Sequence, residues 1–401
     1  MQISADSGLS IGNRGTLRCW SVLGMVLAVS VLAGCSTLQS LNPFASKPVP
    51  RNPPVALEAI TTSLAARSAW TAPVGAAGNY SFTPASVGDS IYAAAADGSL
   101  SRVESATGRT VWRINAGTAL TAGVGADVTT IAVGGASGVL LAFDASGKQR
   151  WKAQASSEIL SAPAVGQGLV VVRSLDNKIA AYDAETGVRR WFLQRTSPPL
   201  ALRTAPGITL SGQTAYIAMP GGRLLAVALA NGVPRWEAVV GDPRGATELE
   251  RIADVSGLPV VAGRDVCAAA YQGRVGCFDI TTGAPRWTKV FSSTVGVAAD
   301  ERFVFAVDER GVVNSFARES GGSVWRNNKL TNRGLSAPVS YGRAIAVGDY
   351  EGYIHFLSRE DGSFLARVAT DGSRITGTPI VSGSLIIFQT QTGNMVALAT
   401  E

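Results

Sequence analysis

Few side chains in this chain could do covalent or metal chemistry: four cysteines and one histidine among 401 residues. Metal-assisted and triad hydrolysis need several imidazoles, thiolates or carboxylates converging on one point. His355 has no second imidazole with which to share a metal or to act as a base beside a nucleophile. Gly147 and Lys148 lack the upstream glycine and the following Ser or Thr of a phosphate loop, and Gly166-Gln167-Gly168 reads as a turn between strands. The expectation is a protein with no catalytic residues, no metal and no cofactor, whose work is done by surfaces.

The cysteines divide by context. Arg14 and Arg18 precede an apolar run, Trp20 to Leu32, which is too short to cross a bilayer and has the layout of a secretory signal. It closes on Leu32-Ala33-Gly34-Cys35, similar to the bacterial lipobox, in which the cysteine is lipidated and opens the mature chain. A plain secretory signal or an anchor helix is the alternative. The lipobox reading predicts a signal peptide over 1–34, a lipidated Cys35 with a proline-bearing tether over 35–56, and a globular body over 57–401. Each buried CH₂ of an acyl chain contributes about 0.8 kcal/mol, so several chains on one residue anchor a soluble body stably. Ser36 follows the cysteine. An Asp there usually retains a lipoprotein of double-membraned bacteria at the inner membrane, so the expected location is the periplasmic face of the outer membrane.

Cys19 is lost with the signal, which leaves Cys267 and Cys277 in an oxidising compartment. The residues between them, "AAAYQGRVG", read as a hairpin. A three-residue loop Tyr271-Gln272-Gly273 with a left-handed glycine would set the two cysteines directly opposite, whereas a two-residue loop would misalign them by one. A disulfide and two buried free thiols both remain open.

The elements that position these residues repeat. Gly and Trp recur four apart as Gly108/Trp112, Gly147/Trp151, Gly187/Trp191, Gly232/Trp236, Gly283/Trp287 and Gly321/Trp325, and Gly362 leads to Ala366 in a decayed copy. Successive glycines lie 39, 40, 45, 51, 38 and 41 residues apart. Such a period marks a stack or ring of like units. Within Ser161 to Leu193, four short runs (Ala162–Val165, Leu169–Val172, Ile179–Tyr182 and Arg190–Leu193) are separated by Gly-Gln-Gly, Asp-Asn and Thr-Gly. They are too short for helices and have no 3.6-residue period, so each repeat is one four-stranded antiparallel propeller blade.

The last repeat, from Gly377, supplies three strands and stops where a fourth is due. Upstream, Trp70 lies 42 residues before Trp112 in a segment that lacks preceding strands. That segment is the missing outer strand, and the fold class is all-β: a single eight-bladed propeller closed by its N-terminal strand. The tryptophans Trp70, Trp112, Trp151, Trp191, Trp236, Trp287 and Trp325 then serve as blade-docking residues, each burying roughly 150 to 250 Å². Asp183 and Asp279, four residues before their glycines, are placed to accept backbone N–H bonds in the turns.

Composition agrees. The chain is 46% hydrophobic and 16% charged, with 45 glycines and a formal net charge of +6. Lys and Arg are scattered, which argues against a nucleic-acid partner.

The two long intervals are adjacent, and their excess follows the fourth strand of blades three and four. Outer-to-inner connections emerge on one rim, so "RTSPPLALRTAPG" (Arg195 to Gly207) and "VVGDPRGATELERIADVSG" (Val239 to Gly257) should form one patch. Leu200 and Leu202 are apolar, and Arg203 beside them can bond a carboxylate or a carbonyl. Leu200 to Arg203 could alternatively begin the next inner strand.

"AYDAETGVRRW" (Ala181 to Trp191) matches the Ala-x-Asp-x-x-Thr-Gly-x-x-x-Trp docking motif of the pyrroloquinoline-quinone (PQQ) dehydrogenases, which are also eight-bladed. Those enzymes use a vicinal cysteine pair, a calcium held by acidic side chains, a catalytic Asp and often a Cys-x-x-Cys-His haem site. No vicinal cysteine pair or Cys-x-x-Cys-His occurs here. The lipobox, the tether, "LALR" in one rim loop and "GATELERIADV" followed by "LPVV" in the next together resemble the BamB family, β-propeller lipoproteins of the outer-membrane β-barrel assembly (BAM) machine. The resemblance runs from Cys35 to the end of the chain. It implies a non-enzymatic scaffold docked on the periplasmic POTRA domains of BamA, with other BAM subunits as neighbours and unfolded outer-membrane proteins as clients. It places Leu200, Leu202 and Arg203 at the BamA-binding positions. It makes Asp254 a fourth BamA-binding position, matching the first acid of the family's Asp-Val-Asp, and Ser256 replaces the second. A periplasmic quinoprotein enzyme and a general scaffold for peptidoglycan or unfolded barrel strands are the other two readings.

Overall fold

The computed structural model describes residues 52–400, which form eight four-stranded antiparallel sheets. Their inner strands contact one another in sequence, and that of blade eight, Ile380–Ser382, returns to that of blade one, Ala85–Val87. The ring is therefore closed, an eight-bladed β-propeller. Cys35, the signal and most of the tether lie outside the described residues.

Blade three shows how one repeat folds. Its strands are Ala164–Gly166, Leu169–Arg173, Lys178–Asp183 and Arg189–Gln194, so the inner strand begins two residues later than the sequence suggested. Gln167 and Asn177 take φ of 54° and 60° in the turns. The second and third strands are buried on both faces, and the outer strand alternates between exposed and buried positions. A central strand is sandwiched by neighbouring blades and needs apolar residues throughout, whereas an outer strand faces solvent on one side.

The Gly-x-x-x-Trp unit joins each blade to the next. Trp151 of blade two lies over Gly187 in the last turn of blade three, where an added Cβ would come within 2.6 Å of its ring. The Trp151 indole N–H donates to the Ala184 carbonyl at 2.9 Å. Gly187 has φ 72°, so it serves both the turn and the ring above it. The same interlock pairs Trp70 with Gly108, Trp112 with Gly147, Trp191 with Gly232, Trp236 with Gly283, Trp287 with Gly321 and Trp325 with Gly362. Asp183 Oδ1 accepts the N–H groups of Glu185 and Thr186 in the same turn.

Blade eight is completed by Ala66–Pro73, which pairs with Asn394–Thr400 from Ala66↔Thr400 to Pro73↔Asn394. This closure explains the decayed copy. A tryptophan at position 366 of blade seven would dock on the last turn of blade eight, and no turn joins the last two strands of that blade, Asn394–Thr400 and Ala66–Pro73, because they come from separate parts of the chain. Leu64 fills the space instead, packing with Ile354, Phe356, Leu365 and Ala366. The Ser63 and Leu64 N–H groups donate to the Leu365 carbonyl.

The segment leading into that strand is pinned as a strap. Val55 N–H donates to the Thr331 carbonyl at 3.0 Å, and Arg333 Nη1 donates to the Val55 carbonyl at 3.1 Å. Arg367 Nη1 donates to the Glu58 carbonyl at 2.9 Å. Contact with the propeller thus starts slightly before Leu57. Behind the strap is a buried polar cluster, in which Asp349 Oδ2 meets Arg333 Nε at 2.8 Å and His355 Nε2 at 3.0 Å, and Arg367 Nε donates to His355 Nδ1 at 3.2 Å. Burial holds the His355 imidazole below its ordinary pKa.

Candidate docking rim

The connection after blade three spans 195–207, and the next inner strand, Ile208–Ser211, begins only after it. Leu200 to Arg203 therefore form a loop and are not the start of a strand. Pro198, Pro199 and Pro206 remove three N–H groups from this stretch and keep it from pairing as a strand.

Internal ties hold the loop. The Leu202 N–H donates to Asp254 Oδ2 at 2.5 Å, and the Gly221 N–H donates to Asp254 Oδ1 at 2.9 Å. Arg203 Nη2 lies 2.7 Å from Glu158 Oε2, and the Glu158 carbonyl accepts the Leu175 N–H at 2.8 Å. Five connections are linked in this way. The loop is ordered by backbone and charge contacts, while Leu200 stays 42% exposed and the Arg203 side chain 57% exposed. Leu202 is half-buried.

Asp254 is 4% exposed and does not reach the surface. Burial pushes its carboxyl up, and the two N–H donors and the nearby Arg173 charge oppose that push. Arg173 is itself buried, which lowers its pKa to about 10. Ser256 is also internal, and its hydroxyl donates to the Ser293 carbonyl at 2.8 Å. An ionised carboxylate at this position could not make that donation, so the serine suits the backbone it faces.

The second connection, 240–254, contains one helical turn closed by a reciprocal cap. The Glu250 N–H donates to Thr247 Oγ1 at 3.3 Å, and the Thr247 and Ala246 N–H groups donate to Glu250 Oε2 at 3.1 and 2.8 Å. The cap presents Leu249, which is 68% exposed. Sequence reasoning missed Leu249, Glu158 and the exposed Leu175. The Thr-x-x-Glu spacing around an apolar residue could have pointed to Leu249. Glu158 carried no local signal, because its partner is 45 residues away.

Cys267 and Cys277 are directly opposed in blade five and joined by a disulfide. The left-handed residue of their hairpin is Gln272, with φ 46°, and not Gly273, which begins the next strand. Both cysteines are fully buried and pack with Trp287.

At the mouth of the central channel a cavity of about 250 Å³ is lined by Thr83, Arg203, Thr294, Glu309, Arg374 and Thr378, among others. Among the described residues, no group of three or more His, Cys, Asp or Glu side chains is placed to hold a metal ion. The cysteines are cross-strand partners in a blade core, not a vicinal pair at the channel. These residues do not fit a quinone with its calcium.

The fold and rim define an eight-bladed β-propeller of four-stranded blades with two long connections tied together on one rim. Solved quinoproteins share only the fold: the quinohemoprotein alcohol dehydrogenase of Comamonas testosteroni superimposes with a TM-score of 0.66 at 13% identity, over 83% of this chain and 76% of that one. The chain belongs to the family of outer membrane protein assembly factor BamB, whose model matches residues 96–327 and 309–401. The BamB of Bordetella pertussis is 43% identical over 94% of this chain and 97% of its own length, and that of Burkholderia pseudomallei 42% over 92% and 94%. The crystal structure of BamB from Moraxella catarrhalis superimposes with a TM-score of 0.77 at 28% identity, covering 83% of this chain and 99% of that one.

Proposed function

We propose that the chain works as a non-catalytic scaffold of the β-barrel assembly machine. In this reading it is lipid-anchored through Cys35 at the periplasmic face of the outer membrane and docks the rim of blades three to five on the POTRA domains of BamA. From there it assists the folding and insertion of outer-membrane β-barrel proteins. The observation that carries the reading is the LALR loop, held internally by Asp254 and Glu158 while it presents Leu200 and Arg203 outward. A loop fixed before binding loses little entropy on docking, which favours an interface. Arg203 keeps donors beyond the pair it gives Glu158, enough to take a partner carboxylate or carbonyl. Asp254 supports the contact from beneath by fixing the Leu202 backbone.

Co-purification tests the reading. BamA should be recovered with the tagged chain from detergent-solubilised outer membranes, and Cys35→Ala should leave a folded propeller that a salt wash releases from the membrane. A chain that purifies without BamA, or that brings a quinone absorbance with it, would contradict the proposal.

A further inference from the structure

Beside the LALR loop, between the end of blade three and the face of blade four, the surface opens into a cleft of about 580 Å³. One wall carries Arg195, Pro198 and Pro199, the other Pro220, Arg223 and Glu237. The cleft is continuous in sequence with Leu200, so it lies at the foot of the proposed docking loop.

Its charges do not balance. Glu237 pairs with Arg195 and lies 3.8 Å from Arg223 Nε, the contact Arg223 makes in this cluster. Two guanidiniums share one carboxylate, and all three side chains are 31 to 41% exposed. A guanidinium carries five donors in a planar fork matched to a carboxylate, so Arg223 retains most of its capacity. The prolines beside it have no N–H to offer and present rigid apolar rings.

We infer that this cleft is a second anchor point for the same partner, receiving an extended segment that sets a carboxylate on Arg195 and Arg223 and an adjacent apolar side chain between the prolines. The inference rests on the proposed docking to BamA. It assigns the cleft the electrostatic share of that contact, with Glu237 as an internal competitor that a partner carboxylate must displace or join. Charge reversal should therefore weaken binding and neutralising Glu237 should strengthen it.

The test is the affinity of the soluble POTRA domains of BamA for the full mature chain at two salt concentrations, with melting recorded on the same samples. Arg195→Glu with Arg223→Glu should lose on the order of tenfold in affinity at low salt, with a smaller loss at high salt. Glu237→Gln should bind a few-fold tighter by the same reasoning. If the double variant melts early, Glu237→Gln decides the matter alone. Wild-type affinity in both cleft variants, with binding weakened in Arg203→Gln, overturns the inference and leaves the rim proposal standing. Weakened binding in Glu237→Gln also overturns it, since the partner would then be using the carboxylate. Wild-type affinity in all three variants removes both.

Discussion

Asp254→Ala should loosen the docking rim from within. The carboxylate is 4% exposed and accepts two backbone N–H groups, Leu202 at 2.5 Å and Gly221 at 2.9 Å. Leaving a buried donor unpaired costs about 1 to 3 kcal/mol, so two would cost about 2 to 6 kcal/mol if neither found water. Leu202 is half-buried, and its loop can turn outward once released, which brings the expected loss to about 2 to 4 kcal/mol. Asp254→Asn keeps one acceptor oxygen and should lose roughly half as much. Denaturant unfolding gives the stability change, and hydrogen exchange at the Leu202 amide shows whether the loop has been freed. Wild-type stability together with wild-type protection at Leu202 in the Ala variant would refute the assignment of Asp254 as the tie.

Three further outcomes are expected. Gly187→Ala puts a Cβ within 2.6 Å of the Trp151 ring at φ 72°, and should cost about 2 to 4 kcal/mol; Gly168→Ala, at φ 74° with open space around it, should cost only the backbone share of about 1 to 2 kcal/mol. Equal losses on unfolding would argue against the interlock. His355, facing Asp349, Arg333 and Arg367, has its pKa lowered by burial. Below pH about 6.5 the unfolded chain therefore binds a proton that the folded chain refuses, and stability should fall with pH by up to about 1.4 kcal/mol per unit until the folded pKa is reached. His355→Gln should lack that slope between pH 7 and 5.5, and equal slopes in the two proteins would contradict it. The Cys267–Cys277 bond closes a short hairpin, so Cys267→Ser with Cys277→Ser should lower stability by no more than about 3 kcal/mol; finding two alkylatable thiols in unreduced, unfolded wild-type protein would show that the bond does not form.

The ring was readable because its signal is periodic and local. A glycine four residues before a tryptophan, and four short runs between turn residues, each reflect contacts that every blade makes in the same way. The closure by Ala66–Pro73 was readable too, since one segment had a tryptophan but lacked strands of its own. The decayed Ala366 was not explained by sequence, because its cause is the missing turn between two paired strands, Asn394–Thr400 and Ala66–Pro73, that are distant in the chain. Within the rim, Leu200 and Arg203 stood out by type, but Asp254 looked like a surface acid until its two backbone donors were seen. Glu158, which holds Arg203, belongs to a different connection and could be found only once the blades were placed side by side.

If the rim, and not the body of the propeller, carries the function, partner binding and stability should separate at the rim. That separation is tested most directly by measuring BamA POTRA-domain affinity and melting temperature on the same samples of Leu200→Ala/Leu202→Ala and of Arg203→Gln, which sets no like charge against Glu158. Truncation at an interface anchor costs on the order of 2 kcal/mol, about thirtyfold in affinity. With Leu200 42% exposed and outside any strand, a loss of that order is expected with melting nearly unchanged. Binding that falls only in proportion to early melting, or variants that remain both folded and bound, would contradict it.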